Sequence, residues 1–380
     1  MSVEIKEIKS RRELRNFVKY PNKLYKGNNF YVPSLVSDDL NTLDPKKNPA
    51  FQDCSARYWL AYKDGRIVGR VCAILNNLHM KKWGQKYLRF SWLDFIDDHE
   101  VSNALISVVE DWAKDLGLEA VHGPLGFTDL DREGMLVEGF DELATMATFY
   151  NYPYYGKHME SMGYVKDIDW IEFELTVPEK QNEKISRAAE IVAKRTNLKL
   201  LVIKHKKELL KYAKELFNLL VDEYTHLYGT NPLNEQQIDA YIKQYFGFVH
   251  PDFIPIVIDL QGKMVAFGIA IPSLSIALQR SKGQLFPFGW WFILKALRKN
   301  DRADLMLVAV KKEFQGSGVN AILMDKITKV FLERGIKKVE SNPELETNVN
   351  VQSLWKLYDK RQHKRRRIYI KKLTLDQERP

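Results

Sequence analysis

The sequence predicts a mixed α/β (α+β) chain of two tandem domains, each a central mixed β-sheet flanked by helices. Three observations carry this. Stretches of period-two alternation interleave with longer stretches of helical periodicity. A hairpin signal occurs twice, as Asp64-Gly65-Arg66-Ile67-Val68 and as Gln261-Gly262-Lys263-Met264-Val265, with the glycines 197 residues apart. A helix-to-strand unit also occurs twice. Leu105 to Leu116-Gly117 leads to Gly123-Pro124, and Leu323 to Arg334-Gly335 leads to Asn342-Pro343, with the helix-ending glycines 218 apart. The 21-residue difference between the two offsets has a visible cause, an extra aromatic segment in the second half. Two copies at so long a period make a domain pair and not a solenoid.

Taken in order, Val3 to Ile8 alternates and reads as a strand, and Ser10 caps a helix to about Val18. A turn-rich region follows, with Pro21, Gly27, Pro33, Pro45 and Pro49. Tyr58 to Tyr62 and Arg66 to Leu75 form the first hairpin, and Tyr87 to Phe95 is a further strand. Val101 to Leu116 is an amphipathic helix ended by Gly117, and Leu118 to Val121 is a strand. A long acidic, Gly-containing loop spans 125–143, followed by a helix at Tyr154 to Met162 and a strand at Tyr164 to Leu175. Pro178 to Gln181 is the expected boundary, giving domains 1–178 and 179–380. The second half reads helix (Glu183 to Lys194), strand (Leu198 to Ile203), helix (Lys206 to Tyr228) and hairpin (Ile254 to Ile271). The aromatic segment 279–300, the strand ending at Val310, a helix ended by Gly335 and a strand at Ile336 to Val339 come next. A helix at Val349 to Asp359 and a strand at Arg367 to Leu373 close the chain.

Composition bounds the function. The 380 residues are 45% hydrophobic and 28% charged, an ordinary soluble balance. The net charge of +9 comes from 58 basic against 49 acidic residues, which leaves no dominant field, so no nucleic-acid partner is expected. Cys54 and Cys72 make no disulfide framework, and a cytoplasmic protein is expected. The charged, periodic N-terminus is no signal peptide. The longest uncharged apolar run, Leu285 to Leu294, is about half of a membrane span, so no transmembrane segment is expected. The histidines do not cluster at metal-ligand spacing, and no metal is expected.

The chemistry concentrates at Val310 to Leu323, V-K-K-E-F-Q-G-S-G-V-N-A-I-L. A strand, a Gly-containing turn and a helix in succession leave backbone N–H groups free at a helix N-terminus, where donors and dipole favour a phosphate. At the 218-residue offset, Gln315 to Asn320 falls on Asp97 to Ser102. The first copy reads D-D-H-E-V-S there, with no glycine to let backbone approach an anion and three carboxylates to repel one. Only the second half is expected to hold a phosphorylated cofactor.

These residues resemble the GNAT family of acyl-CoA N-acyltransferases. Its Q/R-x-x-G-x-G/A turn corresponds to Gln315, Gly318 and Asn320, with Val310 upstream and Glu313-Phe314 and Val319 alongside. The chain departs at Asn320, where the family has Gly or Ala. The tandem arrangement is similar to double-GNAT proteins such as N-myristoyltransferases and Fem-type aminoacyl transferases. The resemblance implies an acyl-CoA co-substrate, acetyl-CoA first, and direct attack by a small-molecule or peptide amine. It implies that Leu307, Val308, Ala309 and Val310 meet the pantetheine arm. Gln315, Gly316, Ser317, Gly318, Val319 and Asn320 would meet the pyrophosphate, with Asn350 nearby. It implies Tyr358 as proton donor to the leaving thiolate, against a packing role beside Leu354 and Leu357. It implies Asp304 as base, where a solvated strand-start aspartate is the other reading, with Glu340 as alternative. The non-catalytic alternative is a CoA-binding sensor or scaffold, and a Fem-type transferase is a further one.

Three more stretches stand out. The insertion Leu285 to Arg298 reads as a lid or pocket wall offering Trp290 to substrate, as a membrane-surface helix, or as packing against the first half or the partner of a homodimer. In the loop 123–140, Asp129, Asp131, Glu133 and Glu138 are candidates to hold a cationic amine, Asp129 first, with Tyr155 lining a cleft; a solvated loop and interface packing are the alternatives. The basic run Arg361 to Lys372, with Lys364 to Arg367 and Lys371-Lys372, reads either as a contact for nucleic acid or the CoA 3′-phosphate or, since Arg367 to Lys371 alternates, as a strand with one solvated face.

Overall fold

The computed structural model describes residues 2–247 and 249–374. Both hairpins form. Asp64 and Gly65 take φ of 54° and 71°, the pair of left-handed residues that a tight turn between twisted strands requires. At the second, the Asp259 carboxylate accepts from the N–H groups of Gln261 and Lys263, and Gly262 takes φ of 79°. Ser10 and Glu13 form a capping box on the first helix, Arg11–Lys19.

In the first half the strands are β1 (Glu4–Glu7), β2 (Cys54–Lys63), β3 (Arg66–Asn76), β4 (Tyr87–Phe95), β5 (Ala120–Gly123), β6 (Met135–Glu138) and β7 (Val165–Thr176). The second half supplies β8 (Lys199–Leu200), β9 (Ile256–Ile258), β10 (Met264–Pro272), β11 (Arg302–Val310), β12 (Lys338–Ser341), β13 (Glu344–Leu345) and β14 (Asp359–Lys372). They join into one sheet in the order β1-β2-β3-β4-β5-β14-β7-β12-β11-β10-β9-β8, with β6 on β14 and β13 on β7. The last strands of the halves are exchanged. β14 enters between β5 and β7, and β7 lies between β14 and β12.

The two halves repeat in detail. β4–β5 and β11–β12 are the parallel pairs. In each pair the two strands are joined by a helix that buries apolar residues: Val101, Leu105, Ile106 and Val109 from His99–Asp115, and Ile322, Leu323, Ile327, Val330 and Phe331 from Asn320–Arg334. Gly117 and Gly335 end these helices in the left-handed region, at φ 66° and 71°.

The structure departs from the sequence reading at several places, four of which bear on the sheet and the site. The basic run is not half solvated. β14 starts at Asp359, eight residues before the expected Arg367, and lies inside the sheet with Lys364 and Arg366 buried. The Arg366 guanidinium meets the equally buried Glu172 on β7 at 2.5 Å, and Lys364 meets Glu340 on β12. The expected helix 349–359 is a single turn, Val349–Gln352, then a 3-10 turn, Ser353–Leu357, because the chain must extend into β14. The helix expected to reach Tyr228 ends at Tyr224. The loop 125–143 contains β6, which pairs with the inserted strand.

A buried pair that loses one member leaves an uncompensated charge. Glu172→Ala is therefore expected to destabilise the fold by about 3–5 kcal/mol in chemical denaturation. A change under about 1 kcal/mol would show the pair to be irrelevant to the exchange.

Candidate active site

β11 pairs with β12 only from Arg302 to Leu305. Its register with β10 slips between Ile269, opposite Leu307, and Ala270, opposite Leu305, so Met306 forms a bulge. Beyond it the two parallel strands splay. Asn342 donates its side-chain amide to the Met306 carbonyl at 3.1 Å, and the Tyr224 hydroxyl donates to the Val308 carbonyl at 3.0 Å.

A cavity of about 220 Å³ fills the splay. Its walls are mostly apolar, with Leu305, Leu307, Leu323, Met324, Ile327 and Leu354 prominent. The first half closes it with Asp129, Leu130, Glu133 and Trp170. Three carboxylates thus face an apolar space: Asp129, Glu133 and Glu344. Burial, which disfavours the charged form, raises all three. Glu344 rises to about 7, against the opposing hydrogen bonds of Trp355 and Ser341. The Trp355 indole N–H donates to it at 2.6 Å.

The strand leads to the glycine turn. Gly316 and Gly318 take φ of 73° and 88°. A Cβ on Gly318 would sit 3.0 Å from Val192. Counted from the helix-ending glycines, the Asn320–Arg334 helix starts three residues later than its counterpart His99–Asp115. The first helical turn of the first copy is thus replaced by the Gly turn. No side chain caps it. Among the described residues none accepts from the N–H groups of Gly316, Gly318, Val319 or Asn320. Four backbone donors at a helix N-terminus are a fit to a pyrophosphate. Arg195 donates to the Ser317 carbonyl at 2.6 Å and adds positive charge. Gln315 braces the turn, donating to the Val310 carbonyl and to Glu223. The Asn320 side-chain oxygen is buried and finds no donor among the described residues.

The first copy is closed at both features. Asp98 caps its helix by accepting from Glu100 N–H at 2.9 Å, and Lys63 pairs with Asp98 and Glu100. Its own splay is filled by the chain after β5, where Leu125 N–H donates to the Phe90 carbonyl at 3.0 Å.

The structure brings Leu307, Val308 and Asp129 to the cavity, while Ala309 and Val310 turn into the core. It does not bring the other expected residues there. Tyr358 is extended at the entry to β14, and its hydroxyl shares a hydrogen bond with Thr328 at 2.9 Å. Trp290 is 47% exposed and donates to the Pro287 carbonyl. Tyr155 lies in the core of the first half, its hydroxyl bonded to Tyr25 and to Phe95 N–H. Asn350 is exposed, and its neighbours Asn348 and Val351 line the cavity instead. Asp304 is buried and not solvated, and burial lifts it to about 7. Glu340, opposite it, is pulled down to about 2 against the cost of burial, with Lys364 the main cause.

Glu133, one of the acidic-loop candidates, also lines the cavity, whereas nothing local in the sequence marks Glu344 or Tyr224. A Ser–His–Asp arrangement was also invisible in sequence. Ser102 and Asp97 bond the two ring nitrogens of His158 at 2.8 and 2.9 Å. Ser102 is wholly buried and lines none of the cavities found among the described residues, so this is a brace and not a nucleophile.

The buried Glu344 holds its proton between about pH 4.5 and 7, where an unfolded glutamate has lost it. Its favourable contribution is present below that window and lost as pH rises through about 7. Glu344→Gln is therefore expected to gain on the order of 3 kcal/mol relative to the parent between pH 4 and pH 9. Thermal melts across pH test this, and a pH-independent difference would refute it.

Residues 213–362 match the Acetyltransferase (GNAT) family. Over 375 residues the chain is 27% identical to Protein YghO of Escherichia coli (strain K12), covering 96% of this chain and 94% of that one. It is 25% identical over 380 residues to a bacterial ceramide synthase of Caulobacter vibrioides, covering 96% of each. In fold it is similar to a tandem GNAT protein from the clavulanic acid biosynthesis pathway, with a TM-score of 0.55, 12% identity and 98% of both chains covered. A GCN5-related N-acetyltransferase from Anabaena variabilis gives a TM-score of 0.51 at 10% identity, over 97% of this chain and 72% of that one. The second half carries a GNAT-family domain, and the chain as a whole has the tandem GNAT fold.

Proposed function

We propose that the chain transfers an acyl group from acyl-CoA to an amine. The observation that carries this is a single strand, β11, which walls an apolar cavity with its splayed end and leads into four unpartnered backbone amides. Segment 179–380 would hold the acyl-CoA: the amides take the pyrophosphate, and Met306 to Val308 flank the pantetheine arm. Segment 1–178 would complete the acceptor side through Asp129 and Glu133. The thioester supplies an activated carbonyl that the amine attacks directly. Acetyl-CoA is the donor that the GNAT resemblance suggests first. The apolar walls and the relative named a ceramide synthase support a longer acyl group and a lipid amine.

The proton roles follow from position. Glu344, poised near neutrality in the cavity, would take the proton of the attacking ammonium. Tyr224, whose hydroxyl reaches the splayed strand, would serve the leaving thiolate, and Tyr358 would brace the Asn320–Arg334 helix through Thr328. Asp304 and Glu340 would hold the sheet around Lys364.

Isothermal titration with acetyl-CoA and palmitoyl-CoA tests the donor. Gly318→Glu is expected to abolish binding, since it strains a left-handed position and sets a carboxylate among the phosphate donors. Glu100→Gln, at the matching position of the first copy, should leave binding intact. No binding by the parent chain at millimolar acyl-CoA would overturn the reading. Thiol release across a panel of amines separates a transferase from a sensor that binds without turnover. The rate should rise through about pH 7, and Glu344→Gln should remove that limb. Tyr224→Phe should lower kcat by about a hundredfold and Tyr358→Phe should not, and the reverse order would restore Tyr358 as the proton donor.

A further inference from the structure

The aromatic insertion is not absorbed by the acyl-transfer site. None of the residues 285–298 lines the cavity in the splay. One face of this segment is fastened down. Ile293 packs with Leu274, Ala277 and Leu278 against Tyr25 and Val32 of the first half. Gln279 donates to the carbonyls of Asn29 and Tyr31, and Val36 N–H donates to the Gly283 carbonyl. The other face is bare. Phe286 is 79% exposed and Phe288 70%, and Trp290, Trp291 and Leu294 are between 42% and 49%. On the Gly289–Arg298 helix, Trp290, Trp291, Leu294, Lys295 and Arg298 fall on one side at helical spacing.

Charge decides what covers this face. The stretch 275–300 contains no Asp or Glu and five cations: Arg280, Lys282, Lys295, Arg298 and Lys299. Among the described residues none of the five is within salt-bridge distance of a carboxylate. Lys295 lies over the Trp291 ring at 5.4 Å. Two copies meeting through this face would set the cations of one against those of the other, which opposes self-association. An anionic surface with an apolar interior answers both features. Aromatic rings favour the headgroup boundary, and nearby Lys and Arg favour anionic lipid.

We propose that this face docks on an anionic lipid bilayer. The rings of Phe286, Phe288 and Trp291 and the side chain of Leu294 enter the headgroup boundary, and Lys282, Lys295, Arg298 and Lys299 meet the lipid phosphates. The helix is ten residues long, so it lies on the surface and does not cross it. The inference does not rest on the acyl-transfer reading.

Flotation of the full chain with vesicles tests it. Binding is expected to vesicles of mixed phosphatidylglycerol and phosphatidylcholine, to fall steeply with added salt, and to be weak on phosphatidylcholine alone. The exposed triple variant Phe286→Ser, Phe288→Ser and Trp291→Ser should lose flotation while keeping the parent's circular dichroism and melting temperature. Replacing Lys295, Arg298 and Lys299 by Gln should weaken binding to anionic vesicles alone. A parent chain that stays unbound on anionic vesicles, or a triple variant that floats as the parent does, overturns the proposal. So does sedimentation velocity showing a dimer that the triple variant dissolves, because the face then belongs to a second copy. Acyl-CoA titration of the same samples keeps the two readings apart, since either result can fail while the other stands.

Discussion

The guanidinium of Arg366 is wholly removed from water, and the carboxylate of Glu172 is the charge that answers it. The two residues lie on the exchanged strands, β14 from the end of the chain and β7 from the end of the first half. An unpaired charge is costly in so dry a place, which favours each strand beside the other. Lys364 extends the constraint to Glu340 on β12. Since β12 is one arm of the splay, the pairing that joins the halves also fixes where the splay opens. The charges specify the register of the exchange more than they add net stability, since such pairs are often no better than apolar packing.

On that shared frame the two copies have diverged in a physically legible way. The helix after β4 begins with Asp98 capping it, which satisfies its amides internally. The helix after β11 begins three residues later, behind two left-handed glycines, which leaves its amides open. The difference is one of backbone hydrogen-bond accounting. Donors answered by an aspartate are unavailable to a ligand, and donors left open need an external acceptor.

Much of this was legible in sequence because it is local. Hairpin glycines, helix-ending glycines, the Ser10 cap and the Gly316–Gly318 turn are set by residues within a few positions of one another. The duplication then made the turn interpretable, since Asp97 to Ser102 supplied a built-in comparison. What was not legible depends on distant partners. The run from Lys364 to Arg367 reads as solvated unless Glu172, Glu340 and Asp169 are known to lie beside it. Glu344 carries no motif, and its shifted protonation arises from burial, which outweighs the opposing hydrogen bond from Trp355. The composition of 349–359 places Tyr358 on a helix, but the long strand that follows claims the chain first.

The loop after β5 ties the closed first copy to the cavity of the second half. Its opening residues enter the first splay, where Leu125 N–H is bonded to the Phe90 carbonyl. Its next residues carry Asp129 and Glu133 across to the cavity of the second half. One segment thus plugs one site and walls the other. The cavity is thus walled by both halves, and the loop that closes the first splay also supplies its acidic side. The exchange of β7 and β14 serves the same end, because it holds the loop's anchor on β5 within one sheet of the splay that the loop completes.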